Sequence, residues 1–188
     1  MIDKFAYGRF FDLHEINEYK WVGTYSILIQ SIVKLTNCRR YLELGVANGS
    51  NIHMIRDHVE TCVGVDLSTE LVDRDRIDFR QMTTDDFFDI NQENFDIIFI
   101  DANHNWINVR RDFENSLKIL NEFGIIILHD TDPVALFMLH PGYCSDSYHI
   151  NDYIYSNHPE LDMVNLPICD MGLTIVKRKK DKRISKFL

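Results

Sequence analysis

The decapeptide Tyr41-Leu42-Glu43-Leu44-Gly45-Val46-Ala47-Asn48-Gly49-Ser50 constrains this chain more than any other segment. A short apolar run carries an acid, two glycines four residues apart follow, and helical patterning starts directly after them. This reads as a strand feeding a tight turn that opens at a helix N-terminus. Glycines there let a ligand approach backbone N–H groups, and the helix end favours negative charge. A plain strand–helix turn has the same pattern. The spacing is Glu-x-Gly-x-x-x-Gly. A nicotinamide-binding turn wants Gly-x-Gly-x-x-Gly, and Ala47 and Ser50 stand where its second and third glycines belong.

The rest of the pattern alternates strand and helix. Trp21, Tyr25, Ile29 and Val33 recur at helical spacing and predict a helix over Glu18–Leu35. Strands are expected at Arg40–Leu44, Cys62–Val65 (ending at Asp66), Ile77–Met82 and Phe95–Ile100 (ending at Asp101), with a helix over Ser50–His58. Trp106–Leu120 reads as a helix with Val109, Phe113, Leu117 and Leu120 on one face, and Gly124 stands where a C-terminal glycine is expected. Ile125–Leu128 is a fifth strand ending at His129-Asp130, and Leu161–Leu166 and Leu173–Val176 are the last two. Its unbroken apolarity suits a parallel sheet covered on both faces. The alternation predicts an open, doubly wound α/β sheet. Residues 1–176 are expected as one domain, with a helical cap over 1–36 and a variable loop over 137–158, and residues 177–188 as a basic tail.

Bulk properties narrow the function classes. The tail holds seven basic residues against one acid, a net +6, so residues 1–176 carry −15 of the total charge of −9. An acidic body repels phosphate backbones, so nucleic acid is not expected as a partner. The tail itself reads as a solvated terminus. No apolar run reaches the roughly 18 residues of a membrane span, and the N-terminus lacks the layout of a signal peptide. Cys38, Cys62, Cys144 and Cys169 form no close pair. They read as reduced thiols of a cytoplasmic protein.

In open α/β sheets, ligands bind beyond the C-terminal strand ends. Glu43, Asp66, Asp101 and Asp130 all fall at or near such ends. A rim of four carboxylates is costly unless something positive binds there. Asp66 is placed to accept the two hydroxyls of a ribose, or else to cap a helix.

Three motifs in order then become specific: Glu43-Leu-Gly45-Val-Ala-Asn-Gly49, Val65-Asp66, and Phe95-Asp-Ile-Ile-Phe-Ile-Asp101. Together they resemble the class I S-adenosylmethionine-dependent methyltransferases. Asp101-Ala-Asn-His104 and His129-Asp130-Thr131 are similar to strand ends of the small-molecule and sugar O-methyltransferase group. The resemblance covers roughly residues 38–133. It implies a Rossmann-like, seven-stranded, mostly parallel sheet with the last strand antiparallel.

The resemblance also implies roles. Glu43, Gly45, Ala47, Asn48 and Gly49 would hold the amino-acid part of the cofactor. Asp66, with Leu67 beside it, would take the ribose, and Thr84, Asp85 or Phe87 the adenine. Asp101 would lie near the methyl. Metal-dependent relatives place carboxylates at these strand ends, which makes Asp101 and Asp130, completed by Thr131 or His129, a candidate site for Mg²⁺. His104 would be general base or a further ligand, or simply a loop residue; Asn103, where relatives often carry an acid, cannot be a base.

The implied reaction is methyl transfer to a hydroxyl of a small molecule or sugar; the sequence leaves the oligomeric state open, a homodimer among the alternatives. The acceptor pocket is expected from the Phe5–Trp21 region and the loop from Phe137 to Tyr155. The rival readings are a non-catalytic cofactor-binding domain and a nitrogen methyltransferase. The latter commonly carries a Pro-Pro-aromatic signature after strand four, where this chain has Ala102-Asn103-His104.

Overall fold

The computed structural model describes residues 24–68, 71, 73–167 and 171–179. The region 1–23, Cys169 and residues 180–188 lie outside them, so the expected Phe5–Trp21 pocket wall and most of the basic tail do too. The elements, in order, are α1 (Thr24–Thr36), β1 (Arg40–Leu44), α2 (Ile52–Ile55, continued by a 3₁₀ turn to His58), β2 (Thr61–Asp66), β3 (Asp78–Gln81) and α3 (Thr84–Ile90). Then follow β4 (Phe95–Ile100), α4 (Trp106–Ile119), β5 (Leu120–His129), α5 (His149–Asn157), β6 (Leu161–Leu166) and β7 (Leu173–Arg178).

The seven strands pair in the order β3-β2-β1-β4-β5-β7-β6. Only β7 runs against the others. This is the expected doubly wound sheet with an antiparallel last strand. The strand order reverses between β1 and β4, the place where such sheets open a ligand crevice. Period-two side-chain alternation divides the core. Leu42, Leu44, Ile98, Ile100 and Leu128 face α3, α4 and α5 through Phe87, Phe113 and Ile154. Tyr41, Ile97, Phe99 and Ile127 face α1 and α2 through Ile29, Val33, Ile52 and Ile55.

One helix is added to the expected elements and two local expectations are corrected. The segment after β3 forms α3, because Thr83 caps it: its hydroxyl oxygen accepts from Asp86 N at 3.0 Å, and Asp85 and Asp86 suit the positive helix end. Gly124 does not cap α4. It sits inside β5, where an added Cβ would meet Leu120 Cδ1 at 2.6 Å and the Asp96 carbonyl oxygen at 3.0 Å. The carbonyls at the end of α4 are taken instead by Arg178, whose guanidinium donates to Leu117 O at 2.6 Å and Leu120 O at 3.0 Å. Lys177 and Arg178 therefore belong to β7 rather than to a tail.

Candidate active site

A cavity of about 840 Å³ opens at the C-terminal strand ends, within the range of small-molecule sites. Of the residues singled out from sequence, Glu43, Gly45, Ala47, Asn48, Asp66, Leu67, Thr84, Asp85 and Asp101 line it. Gly49, His104, Asp130 and Thr131 are not on its wall. Phe87 is fully buried in the core.

The glycine turn follows β1 directly. Gly45 N donates to Val65 O at 2.9 Å, and Asp101 N donates to Leu44 O at 2.8 Å, so the ends of β1, β2 and β4 are stitched side by side. Gly45, Ala47 and Gly49 all have left-handed φ, +88°, +45° and +85°. What forbids a side chain at Gly45 is the protein itself: a Cβ would lie 2.1 Å from Asp101 O. At Gly49 it would lie 2.4 Å from Leu71 Cδ1. Gly45 thus seats the turn on the end of β4, and Gly49 seats it against Leu71 and His53.

Asp66 secures the same turn. Its Oδ2 accepts from Val46 N and Ala47 N, both at 2.7 Å, and its Oδ1 from Ser68 N at 2.6 Å. A carboxylate has about four acceptor positions, so one remains for a hydroxyl donor from the cavity.

Glu43 alternates onto the buried face with Tyr41 and is 1% exposed. It accepts from Tyr41 OH at 2.6 Å and from Asn51 Nδ2, yet burial outweighs these bonds and lifts its carboxyl to about 8. Asp112, on α4, is a second buried acid on the cavity wall; burial raises it to about 6 against the hydrogen bond from Thr84. Asp85 pairs with Arg111 beside it.

At and behind Asp101, which lines the cavity, three groups that follow β4 and β5 converge. Asp101, His104 and Asp130 offer ligand atoms all within 4.8 Å of one another. His104 Nε2 lies 3.0 Å from Asp130 Oδ2 and 3.6 Å from Asp101 Oδ1, and its Nδ1 donates to Tyr143 O. Both ring nitrogens face acceptors, which matches its rise to about 9, driven first by its hydrogen bond to Asp101. His129 Nδ1 lies 3.2 Å from both Asp101 and Asp130. Burial opposes charge on Asp101, but the two imidazoles win and hold it down at about 2.

The same carboxylates push His129 well above the ordinary imidazole range against its own burial. Asp130 keeps φ +59°, a strained backbone that aims its side chain at this cluster. Thr131, expected as a ligand, turns away: its hydroxyl accepts from Thr174 Oγ1 at 2.8 Å. His104 stands beside the two carboxylates instead.

Tyr25, Phe137, Met138, Tyr143 and Met171 complete the wall near the cluster. Phe137 and Tyr143 fall in the loop expected to build an acceptor pocket. Sequence reasoning missed Asn51 and Asp112 as wall residues. The signal for Asp112 was an acid directly beside Phe113 of the apolar stripe of its helix.

Residues 42–131 match the sequence model of the methyltransferase domain family. Over that stretch, just under half of its length, the chain is similar to a methyltransferase domain. No curated protein matches its sequence. The fold is similar to that of solved structures at low identity. An O-methyltransferase from Bacillus cereus, in complex with S-adenosylhomocysteine, superimposes with a TM-score of 0.67 at 18% identity, over 83% of this chain and 81% of the other. The O-methyltransferase TomG from Streptomyces achromogenes, involved in tomaymycin synthesis and bound to S-adenosylmethionine, gives 0.66 at 14% identity, over 83% and 80%. The S-adenosylhomocysteine-bound methyltransferase PaMTH1 from Podospora anserina gives 0.65 at 16%, over 83% and 78%. Among the described residues, no helix is long and apolar enough to cross a membrane.

Proposed function

We propose that this protein carries a methyl group from S-adenosylmethionine to a hydroxyl of a small molecule or carbohydrate, assisted by a divalent cation such as Mg²⁺ or Mn²⁺. The convergence of Asp101, His104 and Asp130 beside Gly45 carries the reading. The cavity's other groups fit the cofactor. A buried acid at Glu43 suits an ammonium, Asp66 suits ribose hydroxyls, and Thr84 and Asp112 suit the edge of a base.

S-adenosylmethionine supplies an electrophilic methyl on a sulfonium sulfur, and a cation held by Asp101, Asp130 and His104 would polarise the acceptor oxygen. The chain's own residues do the rest. Asp101 stays ionised at all working pH values, so its charge is always available to the developing positive centre or to a cation. With Nδ1 donating to Tyr143 O and Nε2 the only lone pair left to give a cation, His104 would serve as ligand rather than base, and the proton of the polarised hydroxyl would leave to water. Phe137, Met138 and Tyr143 supply an apolar wall that orients the acceptor and keeps water away.

The test is transfer of labelled methyl from S-adenosylmethionine to a panel of hydroxylated acceptors, with and without EDTA. Asp101→Asn and Asp130→Asn should each lower turnover by at least about 100-fold while S-adenosylhomocysteine still binds. Full activity in both variants, or full activity in EDTA, would refute the cation-assisted reading.

A further inference from the structure

Of the three groups that would hold the cation, the sheet sets one and a loop sets the other two. Asp101 N donates to Leu44 O at 2.8 Å, which fixes Asp101 to the end of β1. His104 and Asp130 lean instead on the loop between the 3₁₀ turn Leu136–Leu139 and α5. His104 Nδ1 donates to Tyr143 O, which turns Nε2 towards Asp130 Oδ2 at 3.0 Å. Asp146 Oδ1 accepts from Trp106 N at 2.7 Å and pins the loop to the start of α4. Ser147 makes the third attachment and is 1% exposed. Its hydroxyl lies 2.6 Å from both Asp130 O and Cys144 O, sharing one hydrogen between them.

The attachment at Asp130 matters because that residue is strained. Its φ of +59° is left-handed, which a residue with a side chain keeps only where its surroundings over-determine it. Its neighbours are fixed: His129 pairs with Leu173 in the ladder between β5 and β7, and Thr131 O accepts from Asn151 Nδ2 at 2.8 Å. Between them the Asp130 carbonyl is buried, and Ser147 is its donor. Without that donor the carbonyl would be dry and unpaired. Turning the peptide to find another would swing the side chain that faces His104. Ser147 is not on the cavity wall, so a change there reaches a bound ligand only through Asp130 and the loop.

We propose that Ser147 is a positioning residue that holds Asp130 in its left-handed backbone and so aims the carboxylate at the cation. This rests on the cation reading above. Mn²⁺ binding to the full chain, without cofactor, is read from the electron paramagnetic resonance signal of free Mn²⁺, and S-adenosylhomocysteine binding from titration calorimetry. Ser147→Ala should weaken Mn²⁺ binding by about 10-fold or more, the usual loss when a group supporting a metal ligand is removed, and leave S-adenosylhomocysteine affinity within about threefold. Ser147→Cys, close in volume but with only a weak S–H donor, gives the same comparison if the alanine variant does not fold. Unchanged Mn²⁺ affinity in the folded variant would overturn the proposal. Equal loss of Mn²⁺ and S-adenosylhomocysteine affinity would mark Ser147 as a scaffold residue and overturn it too. A wild type that binds S-adenosylhomocysteine but no Mn²⁺ would overturn the cation reading itself, and this proposal with it.

Discussion

Gly45→Ala tests whether the turn is held by its contact with β4. The added Cβ would lie 2.1 Å from Asp101 O, 2.4 Å from Asp101 C and 2.6 Å from Ala102 Cα, all backbone atoms that cannot rotate aside. Carbon packs against a carbonyl oxygen at roughly 3.3 Å, so the turn and the end of β4 must part by about 1 Å. The left-handed φ of +88° adds about 1–2 kcal/mol of strain for any side chain, and overpacking about 1–3 kcal/mol. The expected loss of stability is about 2–5 kcal/mol, a fall in Tm of roughly 5–15 °C.

Because the displaced atoms belong to Asp101, methyl transfer should fall by about 100-fold even where the protein stays folded. Urea unfolding gives the stability and titration with S-adenosylhomocysteine gives the affinity. Gly142→Ala is the control, since its nearest contact is His140 Nδ1 at 3.4 Å with no positive φ; it should change stability by under about 0.5 kcal/mol. A Gly45→Ala variant as stable as that control would refute the close-packing explanation of the turn.

Burial lifts Glu43 to about 8 from an ordinary 4.5, so below about 4.5 both folded and unfolded chains hold the proton and the fold is undisturbed. Between about 4.5 and about 8 only the unfolded chain releases it, so stability should decline across that window by up to about 1.4 kcal/mol per pH unit. Glu43→Gln should remove this decline, read as the difference between the two proteins' urea midpoints against pH; parallel curves would contradict the assignment. Thr83→Ala removes the cap of α3 and should cost about 1 kcal/mol in thermal unfolding. Arg178→Met leaves the last carbonyls of α4 without their donor and should cost about 1–3 kcal/mol, whereas a solvated tail residue would be neutral.

The layered sheet was legible because its information is local. β1, β4 and β5 are apolar runs that end in an acid, and α4 carries its stripe within 14 residues. The missed elements were also local, but their signals were short: Thr83 and Asp86 form a four-residue capping pattern with little periodicity behind it. Gly124 misled because a glycine after a helix usually caps it, and here Arg178, 58 residues beyond Leu120 in sequence, does so instead.

By itself the sequence determined the order of strands and helices, the glycine turn after β1, and the placing of acids at the strand ends. Those depend on periodicity and backbone freedom within a few residues. Only the tertiary structure decided which strand ends meet. Pairing β1 between β2 and β4 sets Gly45 against Asp101 and turns Asp66 onto the Val46-Ala47 amides. Pairing β4 with β5 brings His104 to Asp130 and leaves Thr131 facing Thr174. Burying one face of β1 closes Tyr41, Glu43 and Asn51 into a network whose unpaired oxygen no local pattern could reveal. Such contacts join residues far apart in sequence, and their energy depends on burial, which exists only once the layers have packed.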